Sequence, residues 1–583
     1  MSRIIKCLHK REWLYILATA FILTFQVWLD LEIPDYMSKI TILIQTEGSQ
    51  MSDILVNGGY MLLCSILSVA LVFASGFFAA RIAATVAKRL RAQVFDKTLS
   101  FSMSDMRDFT TGSLITRTTN DITQVQSMIS MGYIASIRAP FMVVCALFKI
   151  FGKSQEFSTV TIIAVASLAV VLFSIIIIAV PKSKKIQWLT DKLNTVVREH
   201  LTGVRVVRAY NAEEYQEDKF ETVNEEVASA NIFVNRTTAM LSPYMTFLIS
   251  SLSLAIYWVG AILINEADML DKITIFSDMV VFVQYAMLII MAFMMLTMTS
   301  MQLPRVFVAL GRIGEVLDFE NNIVDGEIST DEEKSNVSVE FKNVTFAYPG
   351  SDEAVIENIS FKINKGETAA FIGSTGSGKS TIINLILRFY DCTSGEILVD
   401  GINVKNYTQE ALRQKLGLVS QKAILFSGDI TSNIAFGIEE NVDESQIQNA
   451  VEVAQASDFI DKIGTHASVS QGGLNLSGGQ KQRVSIARAI YKDPKIYLLD
   501  DCFSALDYAT DKKLRAELLE KTKGATKLMV AQRISTVKDA DQIIVLDAGK
   551  IAGLGKHKDL LKNSAVYLEI ASSQLSKEEL DYA

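Results

Sequence analysis

Apolar residues are spread along the chain in two textures that change near residue 305. Before that point they gather in long runs. After it, short apolar stretches alternate with amphipathic ones. A bilayer core takes about 20 predominantly apolar residues in helical form. Six runs meet that length: 13 to about 33, 60–80, 129–151, 159–180, 245–264 and 279–301. The third is the weakest, since Arg138 and Pro140 interrupt it. About 48 residues separate the second run from the third, and about 64 separate the fourth from the fifth. Both connections are rich in helix formers and poor in breakers, which predicts helices continuing well beyond the membrane. Each holds one short non-periodic patch, "SMSDMRDFTTG" at 102–112 and "RAYNAEEYQ" at 208–216, expected at the far tips.

Lys and Arg set the orientation. "KCLHKR" precedes the first run, "AKRLRAQVFDK" follows the second and "PKSKK" follows the fourth, whereas "TEGSQMSD" and "NEADMLDK" hold one Lys between them. The basic side is cytoplasmic, so the N terminus and the long C-terminal half are expected on that side of the lipid bilayer; the short loops and few prolines suggest a cell's inner (plasma) membrane. The acidic stretch "NNIVDGEISTDEEKSN" at 321–336 reads as a surface linker. The expected division is a transmembrane domain at 1–320, the linker at 321–336, a second domain at 337–575 and a tail at 576–583.

Composition narrows the function classes. At 583 residues the chain is too long for one core. Its 56 Lys+Arg against 64 Asp+Glu give a net charge of -8, which argues against a nucleic-acid partner. Five scattered cysteines (Cys7, Cys64, Cys145, Cys392, Cys502) contain no C-x-x-C pair, so neither a disulfide framework nor a zinc site is supported. The first apolar run leads into "DLEIPDYMSKI" with no small-residue cleavage site, so no cleavable signal peptide is expected.

The candidate chemistry lies in the C-terminal half, where β-rich runs alternate with helical patterns from about residue 337. "AAFIGSTGSGKSTIINLIL" reads as a strand, a G-x-x-x-x-G-K-S loop and an amphipathic helix. In such a loop (Gly373, Ser374, Thr375, Gly376, Ser377, Gly378) successive N–H groups converge on phosphate and the helix N terminus adds a favourable dipole. Lys379 can reach the β/γ-phosphates, the Ser380 hydroxyl can ligate Mg²⁺, and Thr381 follows on the helix. "LNLSGGQKQRVSIARAI" is a second Gly-rich turn feeding a helix, with Ser477 at an N-cap-like position. About 20 residues later come "KIYLLDD" and "SALD".

With these motifs in this order the chain resembles the ATP-binding cassette (ABC) family over nearly its whole length. The likeness includes the aromatic Tyr348 in "FAYPG", Gln421 in "LVSQKAILF" and "LSGGQ". Six spans and one such domain are similar to a half-transporter of the exporter type. The implied fold is a six-helix all-α transmembrane domain with long cytoplasmic extensions, followed by an α/β P-loop nucleotide-binding domain. The resemblance further implies two composite ATP sites in a dimer. Tyr348 would stack on adenine; Ser380, Gln421 and Asp500 would serve Mg²⁺; Ser477, Gly478, Gly479 and Gln480 would hold the partner's γ-phosphate. The tip patches match the family's coupling segments.

Two residues depart from that pattern beside the γ-phosphate. The family usually has a glutamate where Asp501 stands, to handle the attacking water, and a histidine where Gln532 stands. A third departure is Gln471 in place of a usual glutamate before the signature. An aspartate alone could act as a slightly worse base, but two changes at one phosphate with an intact P-loop and "LSGGQ" point elsewhere. The expectation is a heterodimer. This chain would supply a degenerate, ATP-holding site and lend its "LSGGQ" to a different half-transporter carrying the catalytic glutamate and histidine.

The cargo is the least legible part. Met287, Met291, Met294, Met295, Met298 and Met301 in the sixth span suit either an adaptable drug pocket or helix packing. Asp30, Glu32 and Asp35 near the outer end of the first span are either interfacial or counter-charges for cationic ligands. Arg138 is expected to face the bundle interior or a wet cavity. Export of amphipathic drugs or lipid-like compounds leads; lipid or peptide cargo on the same fold is the alternative. An ATP-gated channel or regulatory subunit is the reading of another class.

Overall fold

A computed structural model describes residues 9–46, 48–151, 153–330, 334–438 and 442–575, apart from the side chains of 269 and 270. Cys7, the start of "KCLHKR", the middle of the acidic linker and the 576–583 tail lie outside the described residues. The chain divides into two compact units. One comprises residues up to 100 together with 110–319; the other comprises 101–109 and everything from 320 on.

The first unit is all helical: α1 Lys10–Gln45, α2 Met51–Leu99, α3 Thr111–Phe151, α4 Gln155–Ala209, α5 Glu213–Ala239, α6 Leu241–Glu266 and α7 Met269–Leu317. Six helical stretches are long and apolar enough to cross a membrane, with α5 and α6 together forming one of them. At about 1.5 Å per residue, the 55 residues of α4 far exceed a hydrocarbon core of about 30 Å. The helices do continue past the apolar runs.

Three details refine that picture. The first helix runs past its apolar stretch, through Pro34 to Gln45. Pro140 does not break α3, whose third apolar run is the end of a longer helix starting at Thr111 and containing π-turns at Arg117–Asp121 and Met128–Gly132. Prolines inside such helices are tolerated because neighbouring groups re-satisfy the freed backbone. The patch at 208–216 is short: α4 ends at Ala209, Asn211 takes a left-handed φ of 49°, and α5 starts at Glu213.

Polar side chains join α1, α3 and α7. Arg138 lies 3.0 Å from Asp30, which also accepts from Ser68 at 2.6 Å. Lys149 reaches Glu32 at 2.9 Å and Asp35 at 2.6 Å, while Lys153 bridges Asp35 and Asp278 at 3.2 and 3.6 Å. The three α1 acids are therefore ion-paired to bases of α3 and the turn after it. Around them pack Val27, Leu31, Ala139, Met142, Phe282 and Tyr285. The methionines of α7 split: Met287, Met291 and Met298 are exposed, while Met294 and Met301 pack partly against the core.

The second unit is α/β. Strands β1 Val337–Phe346, β2 Ile356–Asn364, β4 Ser394–Val399 and β5 Ile402–Asn403 form an antiparallel sheet in the order β2-β1-β4-β5. Strands β3 Thr368–Gly373, β6 Leu416–Val419, β9 Ile496–Asp500, β10 Thr526–Val530, β11 Gln542–Asp547 and β12 Lys550–Gly555 form the order β12-β11-β3-β10-β9-β6. All but edge strand β12 are parallel there. Two short strands, β7 Gly428–Asp429 and β8 Ser468–Val469, pair apart from both. Buried Val339, Phe341, Phe361, Phe371, Leu498 and Leu528 fill the space between the two large sheets.

Residues 101–109 join this unit although they lie between α2 and α3 in sequence. Fully buried Asp105 accepts from the Asn322 side-chain amide at 2.6 Å, and Arg107 donates to the Pro349 carbonyl at 2.8 Å. The first non-periodic patch is thus tied to the loop that follows Tyr348.

Candidate functional site

In an open parallel sheet, ligands bind outside the carboxyl ends of the strands. Here four of those ends converge. β3 ends at Gly373 and opens the loop that leads to α8, Lys379–Ile386. β9 ends at Asp500, with Asp501 next; β10 ends two residues before Gln532, and β6 two residues before Gln421. A cleft of about 240 Å³ is lined by Thr375, Gly376, Gly378, Lys379, Ser380, Thr381, Gln421, Asp501 and Gln532, with Val355 and Val530. The two valines were missed by sequence reasoning because an apolar residue at a strand end carries no chemical signal.

The loop needs glycine at two places. A Cβ on Gly373 would collide with the Leu546 carbonyl, and Gly378 sits at φ +95° as the N-cap of α8, against Ile356. The Lys379 ammonium folds back onto the Gly373 and Ser374 carbonyls at 3.0 and 2.7 Å. Burial pulls its pKa down, while Asp501 and Asp500 oppose that.

Ser380 donates to Asp500 at 2.8 Å, so the two predicted metal residues already touch. Burial pushes the Asp500 carboxyl up; the Ser380 hydrogen bond opposes this and the neighbouring Asp501 charge adds to it. Asp501 accepts at one oxygen, Oδ2, from Gln421 Nε2 at 3.0 Å and Gln532 Nε2 at 2.8 Å. Its carboxyl too is raised by burial, against those two hydrogen bonds. Gln421 donates through nitrogen, which leaves its Oε1 able to ligate a metal.

Mg²⁺ prefers a few protein oxygens supplemented by phosphate and water. The Ser380 hydroxyl, the Asp500 carboxylate and Gln421 Oε1 fit that pattern. Among the described residues no cluster of three or more His, Cys, Asp or Glu offers an all-protein metal cage.

Tyr348 stands at the rim, its hydroxyl 3.1 Å from Thr381 Oγ1 and its ring edge-on to Tyr390. Ser477 to Gln480 do not line this cleft. They open α9, Gly478–Lys492, where Ser477 and Gln480 form a reciprocal capping box at 3.3 and 2.9 Å. Gln471 lies in an exposed one-turn helix, also outside the cleft.

Two family models match the chain. The model of the ABC transporter transmembrane region covers residues 14–301, and that of the ABC transporter covers 356–504. An uncharacterized ABC transporter ATP-binding protein of Mycobacterium tuberculosis is 37% identical over 547 residues, 92% of this chain and 93% of that one. The chain belongs to the ABC transporter family.

The ATP-dependent lipid A-core flippase of Escherichia coli is 33% identical over 529 residues, covering 89% of this ABC transporter and 88% of the flippase. Among solved structures, a bacterial Atm1-family ABC exporter with ATP bound superposes with a TM-score of 0.80 at 24% identity, over 96% of this chain and 98% of that one. That likeness shows the fold. This ABC transporter is a multi-pass membrane half-transporter with an ATPase domain, and the cleft at the strand ends lies in that domain.

Proposed function

We propose that this ABC transporter is the ATP-holding half of a heterodimeric exporter of amphipathic drugs or lipid-like compounds. The observation that carries the reading is the character of the cleft: a complete phosphate loop beside a carboxylate, Asp501, that is one methylene shorter than the family's usual glutamate and meets Gln532 rather than histidine. Such a site can bind ATP and Mg²⁺ through Gly373 to Thr381, Gln421 and Asp500. A positioned general base is typically worth about 10²–10⁴ in rate, so losing it in both halves of a homodimer would leave a pump without a competent site. A different half-transporter therefore supplies the glutamate and histidine. Ser477, Gly478, Gly479 and Gln480, with their capping box formed, serve its γ-phosphate.

The distribution of Lys and Arg supports cytoplasmic termini, and the likeness to bacterial exporters supports residence in a cell's inner membrane. Amphipathic cargo is favoured by the exposed Met287, Met291 and Met298, whose spacings of four and seven residues put three adaptable thioethers on one face of α7. The test is ATP turnover by this chain alone and after co-purification with a candidate partner half-transporter that carries the glutamate and histidine. A slow lone chain and a fast, cargo-stimulated pair are expected; a lone chain as fast as the pair would replace this reading with a homodimeric pump.

A further inference from the structure

We propose that Gln532 is a positioning residue for Asp501: its side-chain amide, acting with that of Gln421, clamps the Asp501 carboxylate in a retracted position. The two departures beside the γ-phosphate then work as one unit. This rests on the ATP-holding reading above and names what keeps that site from turning over.

The clamp has two arms from two different strands. Gln421 follows β6 and Gln532 follows β10, and these are the immediate neighbours of β9, whose end carries Asp501. The carboxylate is thus gripped from both sides of its own strand, at 3.0 and 2.8 Å. Both amides meet the same oxygen. A carboxylate oxygen has two lone-pair directions, so Oδ2 has none left for a water molecule.

The parts are held from behind as well. Asp501 is 8% exposed, takes a left-handed φ of 46°, and donates its backbone N–H to the Val530 carbonyl at 3.0 Å. The Gln532 backbone carbonyl accepts from Gln574 Nε2 at 2.9 Å, which fixes the arm's base. Lys379 is engaged with loop carbonyls and does not compete for the carboxylate.

Neither single change undoes this. A glutamate at 501 carries its carboxylate outward by about one C–C bond, about 1.5 Å, into continued reach of the Gln532 amide. A histidine at 532 frees one lone pair of a carboxylate that is still too short. Release needs both.

The experiment is a double-mutant cycle on the full-length chain in lipid nanodiscs: wild type, Asp501→Glu, Gln532→His and the double variant. Each is scored for ATP turnover, KM for ATP and orthovanadate-trapped ADP. The double variant is expected to exceed the product of the two single effects on turnover by at least about tenfold, with KM moving by less than about threefold throughout. A merely structural role for Gln532 would shift KM and turnover together. Additive effects with a slow wild type would overturn the clamp and leave the ATP-holding reading standing. A double variant no faster than wild type overturns the clamp, and a wild type already as fast as the double overturns both.

Discussion

The acids near the outer end of α1 and those of the nucleotide cleft are held in opposite ways. In the membrane unit Asp30, Glu32, Asp35 and Asp278 face full cations, Arg138, Lys149 and Lys153. At the strand ends of the nucleotide unit, Asp501 faces two neutral amides and Asp500 a hydroxyl, while the nearest ammonium, Lys379, is spent on carbonyls. Desolvation explains the difference. A lone ion among lipid-exposed helices costs several kcal/mol, and these four acids are matched within the fold. The cleft instead sets its acids against neutral donors, an arrangement that would suit a compensating charge brought from outside, such as Mg²⁺. Ion pairs lock a geometry; neutral donors orient a charge without cancelling it.

The largest effect expected from disturbing this contrast is at Lys379, the cation of the phosphate loop. Lys379→Ala removes the ammonium that would meet phosphate, and charge-assisted hydrogen bonds are worth about 1.5–3 kcal/mol each. ATP affinity should fall by about 10²-fold, read with a fluorescent ATP analogue.

A smaller effect is expected in the membrane unit. Lys149→Met leaves Glu32 and Asp35 short of a partner. Because the pair is about a third exposed at the lysine, the cost should lie below the roughly 3–5 kcal/mol of a fully buried pair. A fall in Tm of about 5 °C in nanodiscs follows. Adding Glu32→Gln should return part of it; no return would mean that Lys149 packs rather than pairs.

The smallest effect is on pH dependence. His557 donates to or accepts from the Tyr567 hydroxyl at 2.6 Å, and burial, followed by the charge of Lys538, holds its pKa below the usual histidine range. The folded state therefore resists protonation. Its contribution is fully present above the unfolded pKa and is lost as pH falls from there toward the depressed folded value. His557→Gln should flatten the loss of thermal stability between about pH 7 and pH 5.5 by less than about 1 kcal/mol.

What was legible in the sequence follows the range of the interactions involved. The six apolar runs, the phosphate loop and the Ser477 cap are local patterns, and each stands where its spacing placed it. The ion pairs of Asp30, Glu32 and Asp35 were not legible, because they join residues 108 to 118 positions apart and depend on how helices rotate against each other. Nor was the membership of 101–109 in the nucleotide unit, which rests on Asp105 and Asn322 meeting across 217 residues. At the site, the identities of Asp501 and Gln532 were readable, but their contact was not: it needs β10 beside β9. Pro140 misled in the other direction, since a proline that would stop a helix in water is accommodated among packed apolar helices.

The central claim is that this chain's own cleft holds ATP without consuming it. It is tested most directly by purifying the chain with its partner half-transporter, letting the pair turn over photoactivatable ATP, cross-linking and quenching. The nucleotide attached to this chain's phosphate loop is then identified. The account predicts intact ATP on this chain after many turnovers of the pair, with ADP confined to the partner's loop. ADP accumulating on this chain at the rate of the pair would contradict it.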